Sequence, residues 1–436
     1  MRVKELKPLK KFFLNNTHLK ILHISESDTL GGAARAAYRI HQSLLQVGVN
    51  SLLRVSKKNT NDNTVSDWHN QTFFDLIKER THKRSLIKLK KSWKPSLKEY
   101  YCLGDYGLNI VDEINYSDID IVHLQFLNNI LSIKDIGKIN KPIVWTMHDM
   151  WPFCGAEHYT YDYQDARFKF GYTKQNVPKE DIGLDYCKIT WEKKRKYWKN
   201  KKFHIVGTSR WLEEQVKSSV LFGHLDFTLI PNPLNTDSIW VPTSKDVART
   251  CLRLPSDKKL ILMGADGGTL NFRKGGDLLK DAVLKLTSRN NDRYEVVIFG
   301  QSKPNSENNW GCSVHWTGNI TDDRLLSLYY SAADIMVVPS RQEAFGQTTT
   351  ESMACGTPVA AFAIGGLLDT VKHKETGWLA QPFDTDDLAS GIEWMLEDNN
   401  RLNNLSENAR AFVVREYDPE RIGNMYKELY SKILNK

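Results

Sequence analysis

Short apolar runs rich in β-formers alternate with longer stretches of helical periodicity along the whole chain, and nothing else in it restricts the fold so strongly. Such alternation predicts parallel strands joined by crossover helices that cover the sheet on both faces. In the first half, strands are expected at Leu19–Ser25, Ser51–Ser56, Asp120–Gln125, Pro142–Met147 and Phe203–Ser209. In the second half they are expected at Lys259–Ala265, Tyr294–Gly300, Asp334–Ser340 and Pro358–Ile364. A chain of 436 residues is too long for one core and comfortable for two. Between the halves, Ile230–Pro242 carries three prolines and no periodicity, as a linker does. The chain is therefore expected to be α/β, with Rossmann-like domains at 1–235 and 236–417 and a last helical stretch at 418–436. Two parallel sheets facing each other leave an interdomain cleft, and ligands gather at the carboxyl ends of such strands.

The formal net charge of +8 calls for an anionic partner: nucleic acid, a phospholipid headgroup or a diphosphate. No recognised nucleic-acid motif is present, so nucleic acid is not expected. Cys102, Cys154, Cys187, Cys251, Cys312 and Cys355 show neither paired nor metal-ligand spacing, which fits a reducing compartment and argues against a disulfide framework or a zinc site. The N-terminal stretch has only Phe12–Leu14 as an apolar patch, too short for a signal peptide or a membrane span, so a cytoplasmic location is expected. Two basic segments interrupt the alternation. Lys78–Lys98 sets Leu86, Leu89, Trp93 and Leu97 near one helix face, and Lys188–Lys202 mixes Trp191, Tyr197 and Trp198 with Lys and Arg. Such segments suit an anionic membrane surface, and equally a solvated face with packing aromatics.

The richest stretch is Arg341–Gly366, RQEAFGQTTTESMACGTPVAAFAIGG, which follows an apolar strand. A helix starting near Gly346 would aim the unpaired amides around Phe345, Gly346 and Gln347, with its positive dipole end, at an anion. Glu343 on the loop side and Glu351 inside the helix would flank that anion, where carboxylates suit sugar hydroxyls better than phosphate. Gly264–Ala282 runs from strand through loop into helix and places Arg273 and Lys274 where they could neutralise a diphosphate. In the first half, Gly31-Gly32 opens a helix that carries Arg35 and Arg39, expected to help with an anionic acceptor. His148 stands directly after a strand, with Asp149 beside it and Glu157 further on.

The Arg341–Gly366 stretch resembles the signature of retaining glycosyltransferases of family 4, in which two glutamates seven residues apart bracket the donor-binding helix start. The likeness extends to HKETGWL and DTDDLA further on, and Lys274 before Gly275 matches a family lysine. An early family arginine is missing, its place falling on Ala265 or Asp266. The run from His148 to Phe153 looks like that of bacterial polysaccharide glycosyltransferases related to the colanic acid enzymes. Those relatives often continue with cysteines, and Tyr161–Tyr172 has none. The resemblance implies the GT-B fold, with 418–436 packing back on the first domain. It implies catalytic roles for His148, Glu343, Lys274 and Arg273, and donor contacts from Gly31, Gly32, Phe345, Gly346, Gln347 and Glu351. Glu343 would meet the donor sugar and Glu351 the ribose, with Arg35, Arg39 and Asp149 on the acceptor side. A nucleotide diphosphate sugar would be co-substrate, with no cofactor and no metal. The acceptor would be a saccharide, lipid-linked and destined for capsule, O-antigen or exopolysaccharide, met at the inner face of the cell membrane. A nucleotide-sugar epimerase or a non-catalytic nucleotide-sugar-binding protein on the same scaffold are the alternatives.

Overall fold

The computed structural model describes residues 19–68, 80–81, 92–265, 267–289, 292–305 and 309–435. The first sheet contains β1 (Lys20–Ser27), β2 (Asn50–Lys57), β3 (Val65–Asp67), β4 (Ile121–Leu124), β5 (Ile143–Met147), β6 (Phe203–Gly207) and β7 (Asp226–Leu229). Its strand order is β3-β2-β1-β4-β5-β6-β7, and every pair is parallel. The second contains β8 (Lys259–Gly264), β9 (Tyr294–Phe299), β10 (Val314–Trp316), β11 (Ile335–Val338), β12 (Val359–Phe362) and β13 (Gly377–Ala380), in the order β10-β9-β8-β11-β12-β13. Both are doubly wound, so each has a switch point where successive connections depart to opposite sides: β1/β4 in the first sheet and β8/β11 in the second. The expected strands all form. The four unforeseen ones, β3, β7, β10 and β13, are the sheet edges, which are short and partly exposed and so lack a continuous apolar run.

Central strands such as β4, β5, β11 and β12 are buried along their whole length, as helices on both faces require. In the first domain Trp145 on β5 sits edge-on to Trp198 at 5.4 Å and to Phe203 at 5.6 Å. The helix Pro419–Leu434 returns to the first domain. Its Ile422, Tyr426 and Tyr430 join Ile40 and Leu44 of α1 (Gly32–Gln46) in one core. The Tyr430 hydroxyl lies 2.7 Å from His123 Nδ1.

The basic segment at 78–98 lies mostly outside the described residues, Leu86 and Leu89 included. Its Trp93 is buried and packs edge-on to Tyr101 at 4.7 Å. In the second basic segment, Trp191 and Trp198 on the helix Tyr186–Trp198 are core residues, because the apolar stripe of that helix turns inward. Lys193, Arg195, Lys196 and Lys199 line its outer surface. No helix among the described residues is long and apolar enough to cross a membrane.

Candidate functional site

The loops leaving β8 and β11 meet at the switch point of the second sheet. Gly275 permits the approach, since a Cβ there would come within 1.9 Å of the Pro339 carbonyl oxygen. The Arg341 amide donates to the Arg273 carbonyl at 2.7 Å, and Arg273 Nη1 donates to the Gln342 carbonyl at 3.1 Å. This lacing brings Lys274 Nζ to 2.6 Å from Glu343 Oε2, which also accepts from the Ser340 hydroxyl at 3.3 Å. Burial pushes the Glu343 carboxyl up. The Lys274 and Arg273 charges, with the hydrogen bonds from Lys274 and Ser340, outweigh it and hold the group below the usual carboxylate range. Glu343 is thus a buried anion beside two cations.

The helix Gln347–Ala354 starts at Gly346, whose φ of 90° is one that L side chains rarely adopt. Across the cleft, α1 starts at Gly31 with φ 84°. Neither helix start is capped by a side chain. The two lie against each other, with the Gln347 side chain donating through Nε2 to the Gly32 carbonyl. Two uncapped amide-bearing ends therefore converge on one region, together with Lys274 and Arg273.

Glu351 faces inward and not into solvent. It accepts from Arg39 Nη2 at 2.7 Å and from the Tyr330 hydroxyl at 3.0 Å. Arg39 also donates to Gln347 Oε1 at 2.8 Å, and Arg35 pairs with Asp323. Both arginines, four residues apart on one face of α1, are thus spent on bridging the domains. Beside them a cavity of about 470 Å³ opens between α1, Pro233–Trp240 and Thr321.

On the first-domain wall, His148 is half-buried, with its Nε2 2.7 Å from Gln125 Oε1. Burial brings its pKa down to about 4, against the opposing pull of Asp149, so the ring is neutral at pH 7. Asp149 turns inward: one oxygen accepts from the Trp151 amide at 2.9 Å and the other lies 2.7 Å from His158 Nδ1. Glu157 is buried and hydrogen-bonded to the Tyr172 hydroxyl. Of the two positions where the missing arginine would fall, Ala265 directly follows β8 and Asp266 lies outside the described residues.

Residues 245–412 match the family of glycosyl transferases group 1. An uncharacterized glycosyltransferase of Methanocaldococcus jannaschii is 31% identical over 188 residues, 41% of this chain and 47% of that protein. The match spans about half the length of that relative. Among solved structures, sucrose-phosphate synthase from Thermosynechococcus elongatus superposes with a TM-score of 0.65 at 20% identity, over 96% of this chain and 99% of that one. Anabaena HepE, solved in complex with UDP-glucose, gives 0.63 at 16% identity over 95% and 100%. These neighbours share the two-domain GT-B fold with this chain.

Three cleft residues escaped the sequence reading. Tyr159 lies beneath the Arg273 guanidinium at 4.0 Å, Glu99 approaches Arg273 Nε at 3.7 Å, and Gln342 donates to the Thr160 carbonyl at 2.6 Å. Each contact joins residues far apart in the chain, and no local pattern signals it.

Proposed function

We propose that the chain is a retaining, metal-independent glycosyltransferase that moves a hexose or N-acetylhexosamine from a nucleoside diphosphate sugar to a saccharide acceptor. One observation carries this reading: buried Glu343, held as an anion 2.6 Å from Lys274, stands beside two uncapped glycine-led helix starts. In this reading the amides near Phe345, Gly346 and Gln347, facing Gly31 and Gly32, take the diphosphate, while Lys274 and Arg273 counter the charge that grows as the bond to the sugar breaks. Glu343 accepts hydrogen bonds from the donor sugar hydroxyls. Glu351, already oriented by Arg39 and Tyr330, reads the ribose, and the adjoining cavity takes the nucleoside end. Neutral His148 faces the reacting side of the sugar, and the departing phosphate oxygen takes the acceptor's proton. The sequence match of residues 245–412 and the likeness in fold to a protein crystallised with UDP-glucose support the donor class. The acceptor is a lipid-linked saccharide for a surface polysaccharide, reached at the inner face of the cell membrane, with the basic surface of the helix Tyr186–Trp198 toward anionic lipid.

A panel of nucleotide sugars, assayed for slow donor hydrolysis, tests the reading directly. Glu343→Gln and Lys274→Ala should each lower kcat/KM on the order of a hundredfold or more, with the far-ultraviolet spectrum unchanged. Unaltered rates in both variants would refute the donor-site assignment.

A further inference from the structure

Tyr161 and Tyr163 stack, with ring centroids 5.2 Å apart and planes 2° from parallel, yet they are 50% and 63% exposed. Two rings held together at the surface offer a ligand flat apolar area with a polar edge. The backbone beneath them is pinned on every side. The Thr160 carbonyl accepts from Gln342, the Asp162 carboxylate accepts from Trp211 Nε1 at 2.7 Å, and Lys169 Nζ donates to the carbonyls of residues 162 and 163 at 2.8 and 2.9 Å. The rings thus project from a rigid base. They also continue a line. Tyr159, two residues earlier, is buried under Arg273, and Gln342 adjoins Glu343, so alternate residues 159, 161 and 163 lead outward from the proposed reaction centre.

We propose that Tyr161 and Tyr163 form an acceptor platform on which the second and third sugar units of a neutral oligosaccharide lie. The proposal rests on the glycosyltransferase reading of the cleft and adds the acceptor class to it. The flat ring faces suit the apolar C–H faces of pyranose rings, and the phenol hydroxyls offer hydrogen bonds to sugar hydroxyls. Charge selects against the alternatives. Asp162 lies between the two tyrosines in the chain and Asp165 follows them, while the cations of this stretch are committed: Lys169 to the carbonyls of residues 162 and 163, and Arg273 to Tyr159, Glu99 and the Gln342 carbonyl. With Lys169 and Arg273 so engaged, these groups offer an anionic acceptor or lipid surface no uncommitted cation.

The test uses the full chain with neutral β-linked oligosaccharides of glucose and of N-acetylglucosamine, one to five units long, titrated by NMR. UDP-glucose binding is measured in parallel. Affinity should rise with length up to three units in at least one series, and Tyr161→Ala or Tyr163→Ala should each remove roughly fivefold of that gain. Tyr→Phe at either position should keep most of it. Absence of a length effect in both series, or its survival in the alanine variants, overturns the platform. So does loss of phosphatidylglycerol vesicle binding in those variants without loss of saccharide binding, which would assign the rings to a membrane. UDP-glucose binding reports on the cleft separately, so the donor reading and the platform can fail independently.

Discussion

His158 and Asp149 form a buried pair at 2.7 Å just behind the cleft wall. Burial opposes the imidazolium, but the Asp149 charge and hydrogen bond prevail and push its pKa up to about 9. A folded-state value above the ordinary 6.5 stabilises the fold fully below that pH, and the contribution fades as pH rises through 9. Full loss corresponds to about 3 kcal/mol, at 1.36 kcal/mol per unit. Lys194 acts in the opposite sense over an overlapping window. Burial brings its pKa down to about 8 even though its ammonium donates to the carbonyls of Cys154 at 3.1 Å and Gly155 at 2.7 Å. Comparing the wild type with His158→Gln isolates the histidine: between pH 6 and 9.5 the wild type should lose more unfolding free energy than the variant does. Equal losses in urea titrations would show that the pair does not titrate in this way. This pair also explains why Asp149 is turned inward, into the first domain.

Elements place the chemistry through their ends. The helix Gln347–Ala354 and α1 start at glycines, so no capping oxygen occupies the amides that a Ser or Asp would have satisfied. The helices at 385 and 399, away from the cleft, do carry capping aspartates, Asp384 and Asp398. The site also needs β8 and β11 side by side, and Asp334 secures this. It accepts from Lys245 Nζ, Arg249 Nη2 and the Leu260 amide, each at 2.7 Å, tying the helix Lys245–Leu252 to both strands. Asp334→Ala leaves the buried Arg249 guanidinium without its counter-charge and should cost about 3–5 kcal/mol in chemical unfolding. A loss under about 1 kcal/mol would mean that the arginine finds another partner. Central strands were legible because burial on both faces writes a continuous apolar run. Edge strands such as β3 (VSD) and β10 (VHW) were not, because pairing on one side demands no such run.

At the scale of the molecule, the last helix reaches back across the linker and completes the core of the first domain. Ending the chain at Asp418 removes Ile422, Tyr426, Leu429 and Tyr430 from that core and leaves His123 without the Tyr430 hydroxyl. Calorimetry should then show the first domain's transition lowered by 10 °C or more, on the order of 2–4 °C per kcal/mol lost for a domain of this size. An unchanged transition would show that the helix is dispensable. The order of strands and helices, the proline-rich linker, and the spacing of Glu343, Gly346 and Glu351 were all readable from residues near one another, since periodicity and turn chemistry are local properties of the chain. Only the folded molecule decided that Arg39 would meet Glu351 from 312 positions away, that Arg273 would rest on Tyr159, and that Trp191 and Trp198 would be core residues. The first two depend on which surfaces two domains present to each other, and the third on which face of a helix the first domain covers; a linear pattern of apolar and polar residues carries no record of either.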